Sequence, residues 1–396
     1  MKFFPMPLSS VSSLSFVRAS LAFVVLAAAV LLSASSALAQ QSPTLAAKSW
    51  LLYDFTSGQT LVAQAADEQI EPASLTKLMT AYLSFAALKE GKIKRDTSVP
   101  VSEKAWRTGM TGASRMFIQV GTRVSVENLI KGMIVQSGND ACVALAETIS
   151  GSEPAFVEMM NREAQRLGLK HTHFTNTTGL PDPEHYSTAR DLATLATALI
   201  RDFPEEYASY YSIKEFTYNK IRQENRNRLL WSDPSVDGMK TGWTERAGYC
   251  LIASARRGQR RLISVVLGAS SQNARGPESQ KLLNYGFQFF DAVQLFAARQ
   301  PISELRVWKG ASNVVKAGFA EGLVVTVPKD QAKKLSSKLV SQQPLLAPVH
   351  AGQQVGTVKI SIDDTLFAEY PAIALENVPE AGFFGRLWDS LRLLFN

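Results

Sequence analysis

The sequence predicts an α+β protein with a second, smaller β-rich domain and a C-terminal amphipathic helix. Three observations carry this. Over residues 48–290, runs with apolar residues at helical spacing mix with β-branched runs punctuated by turn residues. Beyond about residue 284 the helical periodicity fades into short valine-rich runs broken by Gly and Pro. The last 17 residues, 380–396, return to a three- and four-residue apolar repeat.

In chain order, residues 1–39 read as a secretory leader. Lys2 and Arg18 give a positive start before an apolar run at 21–32, and Ala37 and Ala39 supply an A-x-A cleavage site. The run is shorter than the ~20 residues that cross a bilayer, so cleavage after Ala39 is expected rather than retention as an anchor. SWLLYDFTSGQTLVAQAA alternates around Ser57-Gly58 and predicts a hairpin. SLTKLMTAYLSFAALKEG predicts a helix ended by Gly91. SVENLIKGMIV predicts a helix capped by Ser125, and DACVALAETISG another. SEPAFVEMMNREAQRLGL has Pro154 near its start and Gly168 near its end. TARDLATLATALIRDF is a further helix, with Ser187 or Thr188 as its N-cap. YCLIASARRGQRRLISVVLGA then reads as two β runs about Gly258. The expected divisions are a leader (1–39), a mixed domain (40–285), a β-rich domain (286–378) and a terminal helix (379–396).

In that last segment Phe384, Leu387, Trp388, Leu391, Leu394 and Phe395 share a face, punctuated by Arg386, Asp389 and Arg392. At 1.5 Å per residue it reaches only ~25 Å, too short and too charged to span a bilayer. It suits a helix lying flat on a membrane surface better than one docked on the β-rich domain.

The formal charge is +7. Loss of the leader removes two cations, and the modest excess left suits an anionic membrane or wall polymer. There is no long Lys/Arg run, zinc-finger spacing or phosphate-cradling loop, so nucleic acid is not an expected partner. Cys142 and Cys250 sit in apolar runs and are expected as buried free thiols.

The chemistry concentrates in three short motifs. EPASLTKLMT places Ser74 and Lys77 one turn apart at a helix start. A serine hydroxyl is a weak nucleophile until a base takes its proton, and a helix N-terminus favours the resulting anion. Alone, that spacing is far more often a solvated helix face. QSGNDAC places Ser137 and Asn139 between two helical stretches, and DGMKTGWTERAGYC places Lys240, Thr241 and Gly242 on a β run. The joint occurrence in this order is the strong signal.

On these motifs the sequence resembles the serine DD-peptidases of penicillin-binding-protein type, and among them the low-molecular-mass D-alanyl-D-alanine carboxypeptidases of peptidase family S11. The likeness extends through SRMFIQVGTRVSVENLIKGMIVQSGNDACVALAE, HFTNTTGLPDPEHYSTARDLA and SVDGMKTGWTERAGYCLIASA, over roughly residues 45–375. It implies a β-lactamase/DD-peptidase (transpeptidase-like) fold, a mostly antiparallel sheet flanked by helices, with a small β-rich domain behind it. It also implies a periplasmic enzyme held at the inner membrane by its terminal helix, acting on peptidoglycan stem peptides and acylated by β-lactams. Ser74 would be the nucleophile, Lys77 its general base and Ser137 a proton relay. Asn139 would hold the peptide and help orient Lys77. Lys240 and Thr241 would bind the terminal carboxylate, and Gly242 would let the strand lie close to the substrate. The backbone N–H groups of Ser74 and Trp243 would form the oxyanion hole. No metal or cofactor is implied. Relatives often carry histidine where this chain has Trp243, and an arginine for which Arg275 is the nearest candidate here.

Other readings compete. A Ser-His-Asp hydrolase would need one of His171, His173, His185 or His350 beside the nucleophile, and His171 and His173 could instead bind metal. A class A β-lactamase would need a glutamate to activate water, and Glu184 is the best candidate. A DD-endopeptidase would use the same residues. A non-catalytic wall-binding scaffold would tolerate loss of Ser74.

Overall fold

The computed structural model describes residues 42–110 and 114–394; the expected leader and Phe395 lie outside the described residues. Strands β1 (Ser49–Asp54) and β2 (Gln59–Gln64) form the expected hairpin. Strands β3 (Val236–Thr244), β4 (Gly248–Arg257) and β5 (Arg260–Ala269) follow much later in the chain. Together they make one antiparallel sheet in the order β2-β1-β5-β4-β3, which leaves β3 at an edge.

The sheet is apolar on both faces because it divides two cores. Leu51, Ile252, Ile263 and Val265 point into the larger core. Their neighbours Leu52, Leu251, Leu262 and Val266 point into the other. Helices α1 (Lys77–Lys89), α3 (Asn139–Ser150), α4 (Glu153–Arg166) and α5 (Ala189–Asp202) cover the first face, beside the short α2 (Val126–Lys131). Helix α6 (Arg275–Phe289) covers the second with Leu282, Leu283 and Tyr285. Each large side chain enclosed this way contributes roughly 1.5–3 kcal/mol.

Helix α1 is buried almost all round, so its polar residues need internal partners. Thr80 Oγ1 donates to Thr177 O at 2.7 Å and Ser84 Oγ to Thr80 O at 2.7 Å. The expected caps form: the Ser125 side chain accepts from Asn128 N–H and Thr188 from Asp191 N–H. Cys142 and Cys250 are buried and free.

Helix α6 is absent from the sequence reading. Gly276, Pro277 and Gly286 disguise it. Yet Pro277 lies in the first turn, where its missing N–H costs nothing. A Cβ at Gly286 would lie 2.7 Å from both Leu52 and Leu262, so the glycine sets how closely α6 approaches the sheet.

The β-rich region begins at Phe290, directly after α6. Strand β6 (Phe290–Phe296) pairs with β9 (Leu323–Pro328). Strands β7 (Ser303–Trp308), β8 (Val314–Gly318), β10 (Leu335–Ser341), β11 (Leu345–Leu346), β12 (Gln354–Ile362) and β13 (Thr365–Ala374) form a six-stranded sheet in the order β10-β12-β13-β8-β7-β11. Buried Asp54 joins the two regions: its Oδ2 accepts from Arg260 Nε and from Thr326 Oγ1, each at 2.8 Å. The Gln59 amide also pairs with the Thr326 backbone, accepting its N–H at 2.6 Å.

His185 lies under α1. Thr175 N–H donates to Nδ1 at 3.1 Å, which leaves the proton on Nε2 to reach Thr76 Oγ1 at 2.8 Å. Burial pushes its pKa down from 6.5 to about 4. Between those values the unfolded chain binds a proton that the folded chain does not, so stability falls as pH drops through that window, by on the order of 3 kcal/mol for the full shift. Urea unfolding at pH 7 and pH 4.5 should show a smaller pH-dependent loss for His185→Gln than for the parent. Equal losses would mean that this ring is not held neutral.

Candidate active site

Ser74 stands in a 3-10 turn, Ala73–Thr76, and α1 begins only at Lys77. The turn presents its hydroxyl to the cleft while Lys77, 1% exposed, turns inward. Lys77 Nζ lies 2.9 Å from Ser74 Oγ and 2.6 Å from Thr178 O. The Thr178 carbonyl comes from the TNTTG segment. There Asn176 Oδ1 accepts from the N–H groups of Thr178, Gly179 and Leu180 at 3.1, 2.7 and 3.1 Å. Gly179, with φ +81°, is pressed on the Ser74 turn: a Cβ there would fall 1.7 Å from Ala73 O.

Burial is the largest cause that lowers the Lys77 pKa, which falls from 10.5 to about 8. The nearby cation that adds to this is Arg226. Lys240 is driven well down from its ordinary value, first by burial and then by Lys77. An anion beside Lys240 would favour its charged form.

The second motif closes the opposite wall. After α2 the chain passes through a π-turn, Gly132–Gln136, and Ser137 ends it in a left-handed conformation with φ 66°. Ser137 Oγ accepts from Lys240 Nζ at 2.9 Å, and Lys240 Nζ also reaches Thr241 O at 2.9 Å. Asn139 opens α3, and its Oδ1 is buried without a protein partner, available to a substrate N–H. Thr178 O also holds the Lys77 amine in place. The Asp140 carboxylate accepts from the N–H groups of Met116, Phe117 and Ile118 at 2.9, 3.0 and 3.3 Å, which holds that segment against α3.

The third motif lies on β3, the sheet edge. Ser74, Ser114, Ser137, Thr241, Gly242 and Trp243 line a cleft of about 270 Å³ together with Arg226, Tyr249, Gln272 and Arg275. Trp243 is 55% exposed and packs at a tilt against Tyr249. Arg226 was not expected from the sequence, and Arg275 takes a place in the cleft. Arg275 is buried while Arg226 keeps an exposed face, and desolvation leads the causes that lower both pKa values. The two guanidiniums, and Lys240 once an anion beside it favours its charged form, suit a carboxylate. A bare arginine in NRNRLLW offers no sequence signal for this.

The competing readings lack such geometry. His185 reaches Thr76 rather than Ser74, and His173 Nδ1–H donates to Glu184 O. Among the described residues no three His, Cys, Asp or Glu gather for a metal. Glu184 is exposed and does not line the cleft. Burial pushes the Cys142 thiol up to about 12, which removes it as a nucleophile at neutral pH. A larger hollow of about 800 Å³ near the ends of α1, α4 and α5 is lined by paired charges, such as Arg166 with Glu163, and offers no nucleophile beside a base.

The sequence profile described as D-alanyl-D-alanine carboxypeptidase matches residues 36–271, and that of the penicillin-binding protein 5 C-terminal domain matches residues 290–380. The chain is 48% identical over 355 residues to the D-alanyl-D-alanine carboxypeptidase DacC of Escherichia coli K12, covering 88% of each. It is 46% identical over 352 residues to DacA of Haemophilus influenzae, covering 88% of this chain and 89% of that one. Penicillin binding protein 5 from Haemophilus influenzae superposes with a TM-score of 0.83 at 45% identity, over 86% of this chain and 99% of that one. Penicillin-binding protein D2 of Listeria monocytogenes, solved in a cefotaxime-bound form, gives 0.58 at 34% identity over 63% of this chain and all of its own.

In protein carrying 13C-lysine, the Lys77 Cε resonance should titrate near pH 8, against about 10.4 for an ordinary lysine. Arg226→Ala removes a neighbouring cation and should move that midpoint upward. A midpoint at the ordinary value would show that the amine is solvated.

Proposed function

The chain belongs to the D-alanyl-D-alanine carboxypeptidase family, and from this we propose that it removes the terminal D-alanine of peptidoglycan pentapeptide stems through an acyl-serine intermediate. The observation that carries the reading is the 2.9 Å contact between a fully buried lysine amine and the Ser74 hydroxyl. Neutral Lys77 takes the Ser74 proton as Oγ attacks the penultimate D-alanine carbonyl. The N–H groups of Ser74 and Trp243 receive the oxyanion. Collapse of the adduct breaks the C–N bond, and the departing amine takes a proton by way of Ser137. Water then cleaves the ester, freeing Ser74. Lys240 and Thr241, with Arg226 and Arg275, hold the substrate's carboxylate. The open edge of β3 offers N–H and C=O groups to an extended peptide, and Asn139 faces it from the other wall.

A β-lactam offers the same carbonyl and carboxylate and should acylate Ser74. Among the described residues no glutamate lines the cleft, so slow penicillin turnover is the expected behaviour. Endopeptidase action would use the same atoms with a different acceptor strand.

The leader and the terminal helix support a periplasmic protein held on the inner membrane. In helix α7 (Phe383–Leu393) the apolar residues remain uncovered: Phe384 is 83% exposed and Trp388 59%. No helix among the described residues is long and apolar enough to cross a membrane. A flat amphipathic contact is the mode that fits.

Purified protein should release D-alanine from a peptide ending in D-Ala-D-Ala, and Ser74→Ala should abolish this; a persisting release would sink the reading. The acylation rate should rise with pH through about 8, because the reactive form of Lys77 is the one that has lost its proton. Lys77→Ala should lower it by about 10²–10⁴-fold. Removing residues 380–396 should shift the protein from the membrane to the soluble fraction and leave turnover unchanged. Loss of turnover would assign the helix a structural role.

A further inference from the structure

The two oxyanion donors belong to different parts of the fold, one to the 3-10 turn at Ser74 and one to the end of β3 at Trp243. Catalysis needs their separation held within about 0.5 Å. Backbone packing supplies part of this. A Cβ on Gly242 would lie 3.1 Å from Pro72 O and 3.3 Å from the Ala73 Cβ, so strand and turn touch directly. Packing resists approach but resists sliding along the strand less well.

A polar tie sits beside that contact. Glu71, three residues before Ser74, has a side chain 11% exposed. Its Oε2 accepts from Thr244 Oγ1–H at 2.7 Å. Thr244 follows Trp243 directly, is 8% exposed, and accepts in turn from Ala247 N–H at 3.0 Å. One buried hydroxyl therefore links the nucleophile's turn, the end of β3 and the bend after it. Arg246 also approaches Glu71, at 3.7 Å, but is 77% exposed and adds little. Between Glu71 and Ser74 lies Ala73, a non-glycine residue at φ 48°, a conformation that persists only where the surroundings enforce it.

We propose that Glu71 and Thr244 are positioning residues that fix the gap between the two oxyanion donors by tying the Ser74 turn to the end of β3. This rests on Ser74 being the acylated nucleophile. Neither side chain lines the cleft beside Ser74, so they act through the backbone.

The test uses the purified protein with Thr244→Val, Thr244→Ser, Glu71→Ala and Glu71→Gln. Acylation is followed with a D-Ala-D-Ala peptide and with its analogue in which sulfur replaces the scissile carbonyl oxygen. Valine has the shape of threonine without its donor. Thr244→Val and Glu71→Ala should slow acylation by roughly 10–100-fold, the scale of a misplaced or lost oxyanion contact, with KM changed by less than about threefold. A well-set hole discriminates against the larger, weaker-accepting sulfur, so the oxygen-to-sulfur rate ratio should shrink in both variants. Thr244→Ser and Glu71→Gln keep the donor and an acceptor and should recover rate and ratio. Thr244→Val acylating at the parent rate would overturn the proposal and leave the functional reading intact. So would a slower variant with a lower Tm and an unchanged ratio, which would make the tie merely structural. Acylation that survives Ser74→Ala would overturn both.

Discussion

Lys77 is enclosed with a hydroxyl and a carbonyl as its partners, and the surrounding structure is arranged to make that enclosure tolerable. A buried ammonium is costly, and the protein relieves the cost by weakening its hold on the proton. The same shift creates a base next to Ser74. Asn176 folds the 176–180 turn so that one carbonyl faces the amine. Gly179 lets that turn press on the nucleophile's own turn. Chemistry and packing here are one constraint.

A second level of order concerns charge. Arg226 and Arg275 line the cleft, Lys240 stands buried behind Ser137, and among the described residues no acidic side chain lines it. Such a set is held apart by the fold and is completed by an anionic ligand. The carboxylates near this region are occupied elsewhere: Asp140 by three backbone N–H groups, and Glu71 by Thr244. Those acids shape the walls, and the Asp140 charge still reaches Lys77, where it opposes the lowering of the amine's pKa.

Much of this was legible in the sequence because the motif residues act locally. Ser74 and Lys77 are one turn apart, and Lys240, Thr241, Gly242 and Trp243 share one strand, so spacing alone put them on common surfaces. The helix caps at Ser125 and Thr188 were readable for the same reason. The supporting residues were not. Thr178 meets Lys77, and Glu71 meets Thr244, across long loops that no periodicity encodes. Arg226 looks like any exposed arginine in the sequence, and only tertiary folding brings it to the cleft. Helix α6 was hidden because Pro277 and Gly286 read as breakers, although one sits at a permissive end and the other at a close contact. Sheet order was equally remote, since the N-terminal strand β1 lies beside β5.

The position of β3 has one more consequence. A strand whose outer hydrogen-bonding groups must remain available to a guest cannot be blunted by proline or capped by a neighbour, the usual defences against unwanted association between copies. Here Arg226 and Arg275 line the adjoining cleft, and like charges oppose the approach of a second copy's identical edge. The groups that recognise an anionic guest thereby also keep one copy's margin from zipping onto another's, so colloidal behaviour and ligand recognition are bound to the same few side chains.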